Sequence, residues 1–164
     1  MSPADLVPSI TQMRWWDLDD VLAVEVPSFG PDAWSREMFL SELAERGSRR
    51  YRLLRDPGSS ALRGYVGVAA AGADADVQTL AVAPGQRGRG LGRTLVELAK
   101  EQARDAGARR VRLEVREDND AALALYTATG FRPRGRRPGY YAGAAGGPRT
   151  AAILMQADLD RPGT

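Results

Sequence analysis

The sequence predicts a single α/β domain with a mixed, mostly antiparallel central sheet and flanking helices. Three observations predict it. Segments of two-residue and 3.6-residue apolar period follow one another as β-α-α-β-β-β-α-β-α-β-β, which combines antiparallel hairpins with one β-α-β crossover. The crossover is the sharpest part: a strand ending at Val82, the glycine-rich segment 85–92 and the most regular amphipathic helix of the chain stand in succession. And the 164 residues hold no internal repeat and no interdomain linker, which fits one domain over 1–164 with its core at about 10–158.

Each element has a local reason. After a loose start with Pro3 and Pro8, residues 10–16 read as a first strand. Asp17 can cap a helix carrying Val21, Leu22, Val24 and Glu25, which the two prolines of 27–31 should end, since proline lacks the N–H a helix interior needs. Ser35 is a second N-cap, with Trp34 before it and Phe39 after it at the hydrophobic-staple positions. That helix, 36–45, should present Phe39, Leu40 and Leu43 on one side. Strands at 51–54, 62–70 and 76–82 are separated by Asp56-Pro57-Gly58 and by Gly72. In the next helix Leu91, Leu95, Leu98, Ala99, Gln102 and Ala106 form one stripe, and Gly107 stops it. Residues 109–115 alternate apolar Val111, Leu113 and Val115 with polar Arg112 and Glu114, a strand with two distinct faces. Asp118-Asn119-Asp120 opens a short helix over 121–129, closed by Gly130. From Phe131 the chain is strand-like and arginine-rich, then rich in glycine and proline over 138–148, and a last strand at 150–157 precedes a polar tail.

Composition removes much chemistry. The chain has no histidine and no cysteine, so Ser-His-Asp and Cys-His schemes, thiolate intermediates and disulfides are all excluded. Zinc and iron–sulfur sites lose their usual ligands, and no metal is expected. An enzyme made from this sequence must use Asp, Glu, Lys, Arg, Tyr, Ser or Thr, or borrow a cofactor. Hydrophobic residues at 43% and charged residues at 27% exclude a disordered chain. The longest apolar stretch, 65–75, is broken by Gly67, Gly72 and Asp74 and cannot span a bilayer. With no signal-peptide pattern at the N-terminus and no cysteine, a cytoplasmic location without membrane association is expected. Of the 23 basic residues only Lys100 is lysine. Codon bias explains that blandly; phosphate recognition by guanidinium forks is the sharper reading.

Placement favours phosphate at one point. Gln86-Arg87-Gly88-Arg89-Gly90-Leu91-Gly92-Arg93 follows a strand and opens a helix, where free N–H groups and the helix dipole attract an anion; the plain alternative is a flexible connection. A dinucleotide fingerprint fails, because Arg93 and Leu95 stand where its last glycine should be, and a P-loop fails because Leu91 stands where its lysine should be. What fits is Arg-x-x-Gly-x-Gly, from Arg87 to Gly92, behind the strand end Leu80-Ala81-Val82.

On these residues the chain resembles the GCN5-related N-acetyltransferases, whose pyrophosphate-binding segment for acetyl-coenzyme A has this form. Leu113-Glu114-Val115-Arg116, Asn119, Ala124-Leu125-Tyr126 and Gly130-Phe131 resemble the second half of that family's coenzyme site. The combination is most similar to the RimI branch, the ribosomal-protein alanine N-acetyltransferases. Trp34-Ser35 with Phe39, and Arg136-Arg137 before Tyr140-Tyr141, resemble that branch too, whereas the Gly/Ala/Pro-rich 142–148 departs from it.

The resemblance implies a β-α-β coenzyme A-binding core and a set of roles. Acetyl-CoA would be the co-substrate. Leu80, Ala81 and Val82 would supply main-chain groups to it, Arg87, Gly88, Arg89, Gly90, Leu91, Gly92 and Arg93 would hold its phosphates, and Asn119 would touch it. Glu114 would take the proton of the amine, and Tyr126 would protonate the departing thiolate and contact the coenzyme. Trp34, Tyr140 and Tyr141 would line the peptide acceptor. The residues alone leave plainer readings open: Glu114 as a solvent-facing or Arg112-paired carboxylate, Tyr126 as a core aromatic, Asn119 as a helix cap, and Tyr140 and Tyr141 as braces of a hairpin. The cluster Arg132, Arg134, Arg136 and Arg137 reads either as a basic docking patch or as a solvated loop. The implied partner is a protein N-terminus, the alanine of small-subunit ribosomal protein eighteen, with no direct nucleic-acid binding. Competing readings are acetylation of a small amine or a lysine side chain, and an arginine-rich RNA-binding module.

Overall fold

The computed structural model describes residues 7–159; the expected loose start before residue 7 and the polar tail beyond 159 lie outside them. The strands are β1 (Ser9–Gln12), β2 (Arg49–Arg55), β3 (Leu62–Ala71), β4 (Asp74–Val82), β5 (Arg110–Arg116), β6 (Arg132–Tyr141) and β7 (Thr150–Asp158). The helices are α1 (Leu18–Phe29), α2 (Arg36–Ala44), α3 (Leu91–Asp105) and α4 (Asp120–Ala128). All seven strands form one sheet in the order β1-β2-β3-β4-β5-β7-β6. Only β4 and β5 run parallel, and α3 joins them, as the crossover predicted.

Strand alternation sorts side chains onto two faces. Leu54, Val66, Val68, Val111, Leu113 and Val115 pack with Leu91, Leu95 and Ala99 of α3 and with Tyr126 of α4. On the opposite face Tyr51, Leu53, Tyr65 and Ala81 pack with Val21 and Val24 of α1 and Phe39 of α2. Phe39 is fully buried, and truncating such a ring to alanine costs about 3–5 kcal/mol.

Several boundaries differ from the sequence reading for identifiable reasons. The first strand stops at Gln12, and residues Trp15–Asp17 form a 3-10 turn. Asp17 precedes α1, yet its carboxylate accepts from the Arg14 amide (2.8 Å) and from Arg55 (2.8 Å) instead of capping that helix. Pro27 lies inside α1 without ending it. One turn from the C-terminus it removes a single donor, and the helix stops at Gly30, whose φ of 53° is in the left-handed range. Ser35 caps α2 as expected, accepting from the Met38 amide at 3.2 Å, and the Trp34 and Phe39 rings meet at 5.4 Å. Leu40 turns to solvent, because a helix rotates about 100° per residue and only Phe39 and Leu43 share the inner face. The strand β6 runs into the Gly/Pro-rich segment, through Pro138 and Gly139 to Tyr141; at the sheet edge a missing N–H breaks no outer ladder.

Candidate acetyl-transfer site

The parallel pair at the sheet's centre is made over only three positions, Asp74–Arg110, Ala75–Val111 and Asp76–Arg112. Beyond Asp76 the strands part. On the β3 side the register jumps from Val68–Val77 to Gly67–Thr79, so Gln78 is an extra residue that bends β4 where the gap begins. Each strand keeps its outer neighbour: β4 stays on β3 to the Gly64–Val82 pair, and β5 stays on β7 to Arg116–Ala152. The Ala83 amide donates to the Arg63 carbonyl (2.8 Å). Main-chain groups alternate along a strand, so Ala81 also faces β3 while Leu80 and Val82 turn theirs to the unpaired edge. A wedge lined by backbone donors and acceptors therefore opens at the C-terminal ends of the parallel strands, the usual ligand position in such sheets.

The glycine segment closes the wide end of that wedge. Gly88 and Gly90 both have φ of 78°, a left-handed conformation that side chains resist, and a Cβ on either would meet nothing within 4 Å. Their requirement is conformational. Gly92 differs: a Cβ there would stand 3.0 Å from the Leu125 side chain, so this glycine lets α3 approach α4. Gly90 occupies the N-cap of α3 with no side-chain cap, leaving first-turn N–H groups for an anion. Arg87 reaches only Ser28 Oγ (3.3 Å) and Arg89 only Gln86 Oε1 (3.5 Å), while Arg93 is exposed. Among the described residues none of the three has a carboxylate within 4.0 Å. This donor set fits a coenzyme pyrophosphate.

Glu114 and Tyr126 lie on opposite faces of the sheet. Tyr126 belongs to the α3–α4 core, is 9% exposed and packs against Phe131 at 5.6 Å between centroids. Burial pushes its phenol up to about 12, so it stays protonated through the neutral range. Glu114 alternates with buried Leu113 and Val115 and so points the other way, towards the α1–α2 side. Its partner is Arg137 on β6 at 3.2 Å, not Arg112, which pairs with Asp76. The Tyr140 hydroxyl donates to Glu114, and that bond, with burial, holds the phenol above its ordinary value. Tyr141 packs edge-on to Tyr140 at 5.0 Å, and burial and the Glu114 charge raise its phenol to about 12. Glu114, Tyr140 and Tyr141 thus form one cluster. Asn119 caps α4, accepting from the Ala122 amide at 3.1 Å. Trp34 packs on Phe39 beside α2.

Two further groups have no individual role in the sequence reading. Glu25 of α1 is 1% exposed and accepts from the Trp34 amide (3.2 Å), Thr79 Oγ1 (3.3 Å) and the Tyr65 hydroxyl. Burial raises its carboxyl above the ordinary value despite those donors. A carboxylate in an otherwise apolar helix stripe was the available signal. Arg116, two residues past Glu114 on the same face, engages Asp32 and Asp118; nothing in the local sequence reveals Asp32 as its partner. Among the described residues no cluster of acidic side chains is placed to hold a metal ion, and no helix is long and apolar enough to cross a membrane.

Known proteins share this arrangement. Residues 13–131 match the model of the Acetyltransferase (GNAT) family. The chain is 36% identical over 133 residues to a Bacillus subtilis (strain 168) protein provisionally named as a ribosomal protein bS18-alanine N-acetyltransferase, covering 81% of this chain and 86% of that one. It is 40% identical over 116 residues to the N-alpha-acetyltransferase RimI of Mycobacterium tuberculosis, covering 68% and 70% of the two chains. The crystal structure of the ribosomal-protein-S18-alanine N-acetyltransferase from Escherichia coli superposes with a TM-score of 0.82 at 28% identity, over 95% of this chain and 96% of that one. With a parted parallel pair, an anion-ready turn and relatives of nearly its own length, the chain belongs to the Acetyltransferase (GNAT) family and is an acetyl-CoA-dependent N-acetyltransferase.

Proposed function

We propose that this chain acetylates a protein N-terminal α-amine, the alanine terminus of small-subunit ribosomal protein eighteen, with Glu114 as base and Tyr126 as acid. The observation that supports this reading is the parting of β4 from β5 alongside Glu114, with Tyr126 on the opposite face of the sheet. The two relatives whose names specify ribosomal protein S18 support the acceptor.

Acetyl-CoA supplies an activated thioester carbonyl when bound. The chain's residues do the rest. First-turn amides of α3 with Arg87, Arg89 and Arg93 would hold the phosphates, and the Leu80 and Val82 main chain would orient the thioester and stabilise charge developing on its oxygen. An α-amino group has a reference pKa of about 7.7–8.0, so near neutral pH most of it carries a proton that must leave before attack. The Glu114 carboxylate is the acceptor for that proton, directly or through water. Tyr126, protonated across the neutral range, gives its proton to the leaving sulfur. The amine forms its bond to the acetyl carbon as the C–S bond breaks, with no acyl-enzyme. Tyr140 and Tyr141 stand at Glu114 and form the acceptor's wall; Trp34 would act through the segment that precedes α2.

The test is a panel of N-terminal peptides and small amines incubated with acetyl-CoA and read by mass spectrometry. A peptide beginning with the alanine-led N-terminal sequence of the ribosomal protein is expected to be the best acceptor. Preference for a small amine or an internal lysine would overturn the assignment.

A further inference from the structure

We propose that Arg116 is a positioning residue for the acceptor: its guanidinium ties the segment between α1 and α2 to the segment after β6, and so fixes the slot above Glu114. The proposal rests on the acceptor reading above, and its geometry is independent of it. All three guanidinium nitrogens are engaged. Nη1 donates to Asp32 Oδ2 (2.7 Å) and to the Ala142 carbonyl (3.3 Å). Nε donates to Asp118 Oδ1 (3.0 Å), and Nη2 donates to Asp118 Oδ2 (3.2 Å) and Thr150 Oγ1 (3.3 Å). Asp32 completes the loop by accepting from the Ala142 amide at 3.4 Å.

The consequence for the site lies in what these atoms carry. Asp32 belongs to the 3-10 turn Gly30–Asp32, two residues before Trp34. Ala142 directly follows Tyr141, and the Arg116 guanidinium also lies 5.4 Å from the Tyr141 ring centroid. Tyr141 in turn braces Tyr140, whose hydroxyl sits on Glu114. The segment after β6 is rich in glycine and has little packing of its own, so without the clamp its entropy would oppose any single position. Exposed ion pairs hold a fold together weakly; a planar fork with five donors fixes orientation well. Arg116 is 28% and Asp32 21% exposed at the side chain, partly shielded. The clamp's product is geometry: two walls of the acceptor slot held to the strand that carries the base.

The experiment uses the full chain and the variants Asp32→Asn, Arg116→Gln, Arg116→Lys and the double Asp32→Asn/Arg116→Gln. Amide hydrogen exchange is expected to quicken together at residues 30–34 and 141–147 in either single variant, a readout that needs no activity. With an alanine-led peptide the acceptor KM is expected to rise about tenfold, the factor for one lost charged hydrogen bond, with kcat and acetyl-CoA affinity by calorimetry little changed. The double variant should be no worse than Arg116→Gln alone, because that substitution already removes the contact with Asp32. Lysine should fail to restore KM, since a point charge cannot reproduce the fork. Unchanged exchange in both segments overturns the clamp. Loosened segments with an unchanged KM, or an equal loss of coenzyme affinity, overturn the positioning role. Should Arg116→Gln fail to fold, Asp32→Asn alone decides. Wild type that binds acetyl-CoA yet acetylates no peptide would instead overturn the function reading, while exchange still reads the clamp.

Discussion

At the start of α3, Arg87, Arg89 and Arg93 meet no carboxylate among the described residues, whereas on the β5–β6 side Arg116, Arg136 and Arg137 are held by Asp32 and Asp118, by Glu117 and by Glu114. The first has no acid among those residues to engage its donors; the second has used them on the protein's own acids. Energetics explains the division. The Arg136–Glu117 pair is about half exposed on both sides, and such pairs contribute roughly 0–1 kcal/mol, too little to justify it as a stabiliser. What it supplies is orientation of β6 against the end of β5. Guanidinium forks on a phosphate, in contrast, are charge-assisted contacts made only when the ligand arrives.

That contrast can be broken experimentally, most severely at the base. Glu114→Gln removes the proposed proton acceptor and should lower kcat by about 10²–10⁴-fold, with acetyl-CoA binding by calorimetry retained; a near-normal rate would sink the assignment. Tyr126→Phe should follow, with kcat lower by up to about 10²-fold and the coenzyme still bound. Because burial sets the phenol near 12, wild-type activity should show no alkaline fall attributable to Tyr126 in the neutral and mildly basic range.

Smaller effects sharpen the other half. Replacing Arg87, Arg89 or Arg93 singly by alanine should weaken acetyl-CoA binding by about 10-fold and flatten its salt dependence. Arg136→Ala should leave that affinity untouched; equal losses on both sides would erase the distinction drawn here. The smallest change concerns stability alone. Glu25 has a carboxyl pKa raised by burial in the folded chain, so the folded state binds that proton more firmly than the unfolded one. Its contribution is therefore most favourable at acidic pH and declines as pH rises from the ordinary glutamate range through the raised value. Glu25→Gln removes that decline. Urea midpoints of the variant relative to wild type should move upward with pH across the window; movement downward would mean that the three donors, not burial, dominate.

The sequence made the crossover legible because its signals are local: a two-faced strand, a turn needing left-handed residues, and a strong helical stripe. The face on which Glu114 stands was likewise readable from its alternation with Leu113 and Val115. The parting of β4 from β5 was not. It depends on an unmatched residue, Gln78, visible only once β3 and β4 are placed in register. Nor could Arg116 announce Asp32, which lies 84 positions away in the chain. Trp34, Tyr140 and Tyr141 show a related limit. Packing physics identifies them as large rings near turns, and only the assembled sheet brings the tyrosine pair to the carboxylate.

The bulge at Gln78 also has a mechanical side. Past Asp76 the central ladder is cut, so β1–β4 and β5–β7 behave as two jaws sharing a short pivot. The pivot is reinforced from the surface by Arg110 on Asp74 (2.8 Å) and Arg112 on Asp76 (3.1 Å). The jaws meet again at the far rim through Arg116 and Asp32. Beyond the pivot no backbone ladder joins the two halves among the described residues, and the Arg116–Asp32 pair spans them at the rim. A ligand seated between the strands there would break no backbone hydrogen bond between β4 and β5.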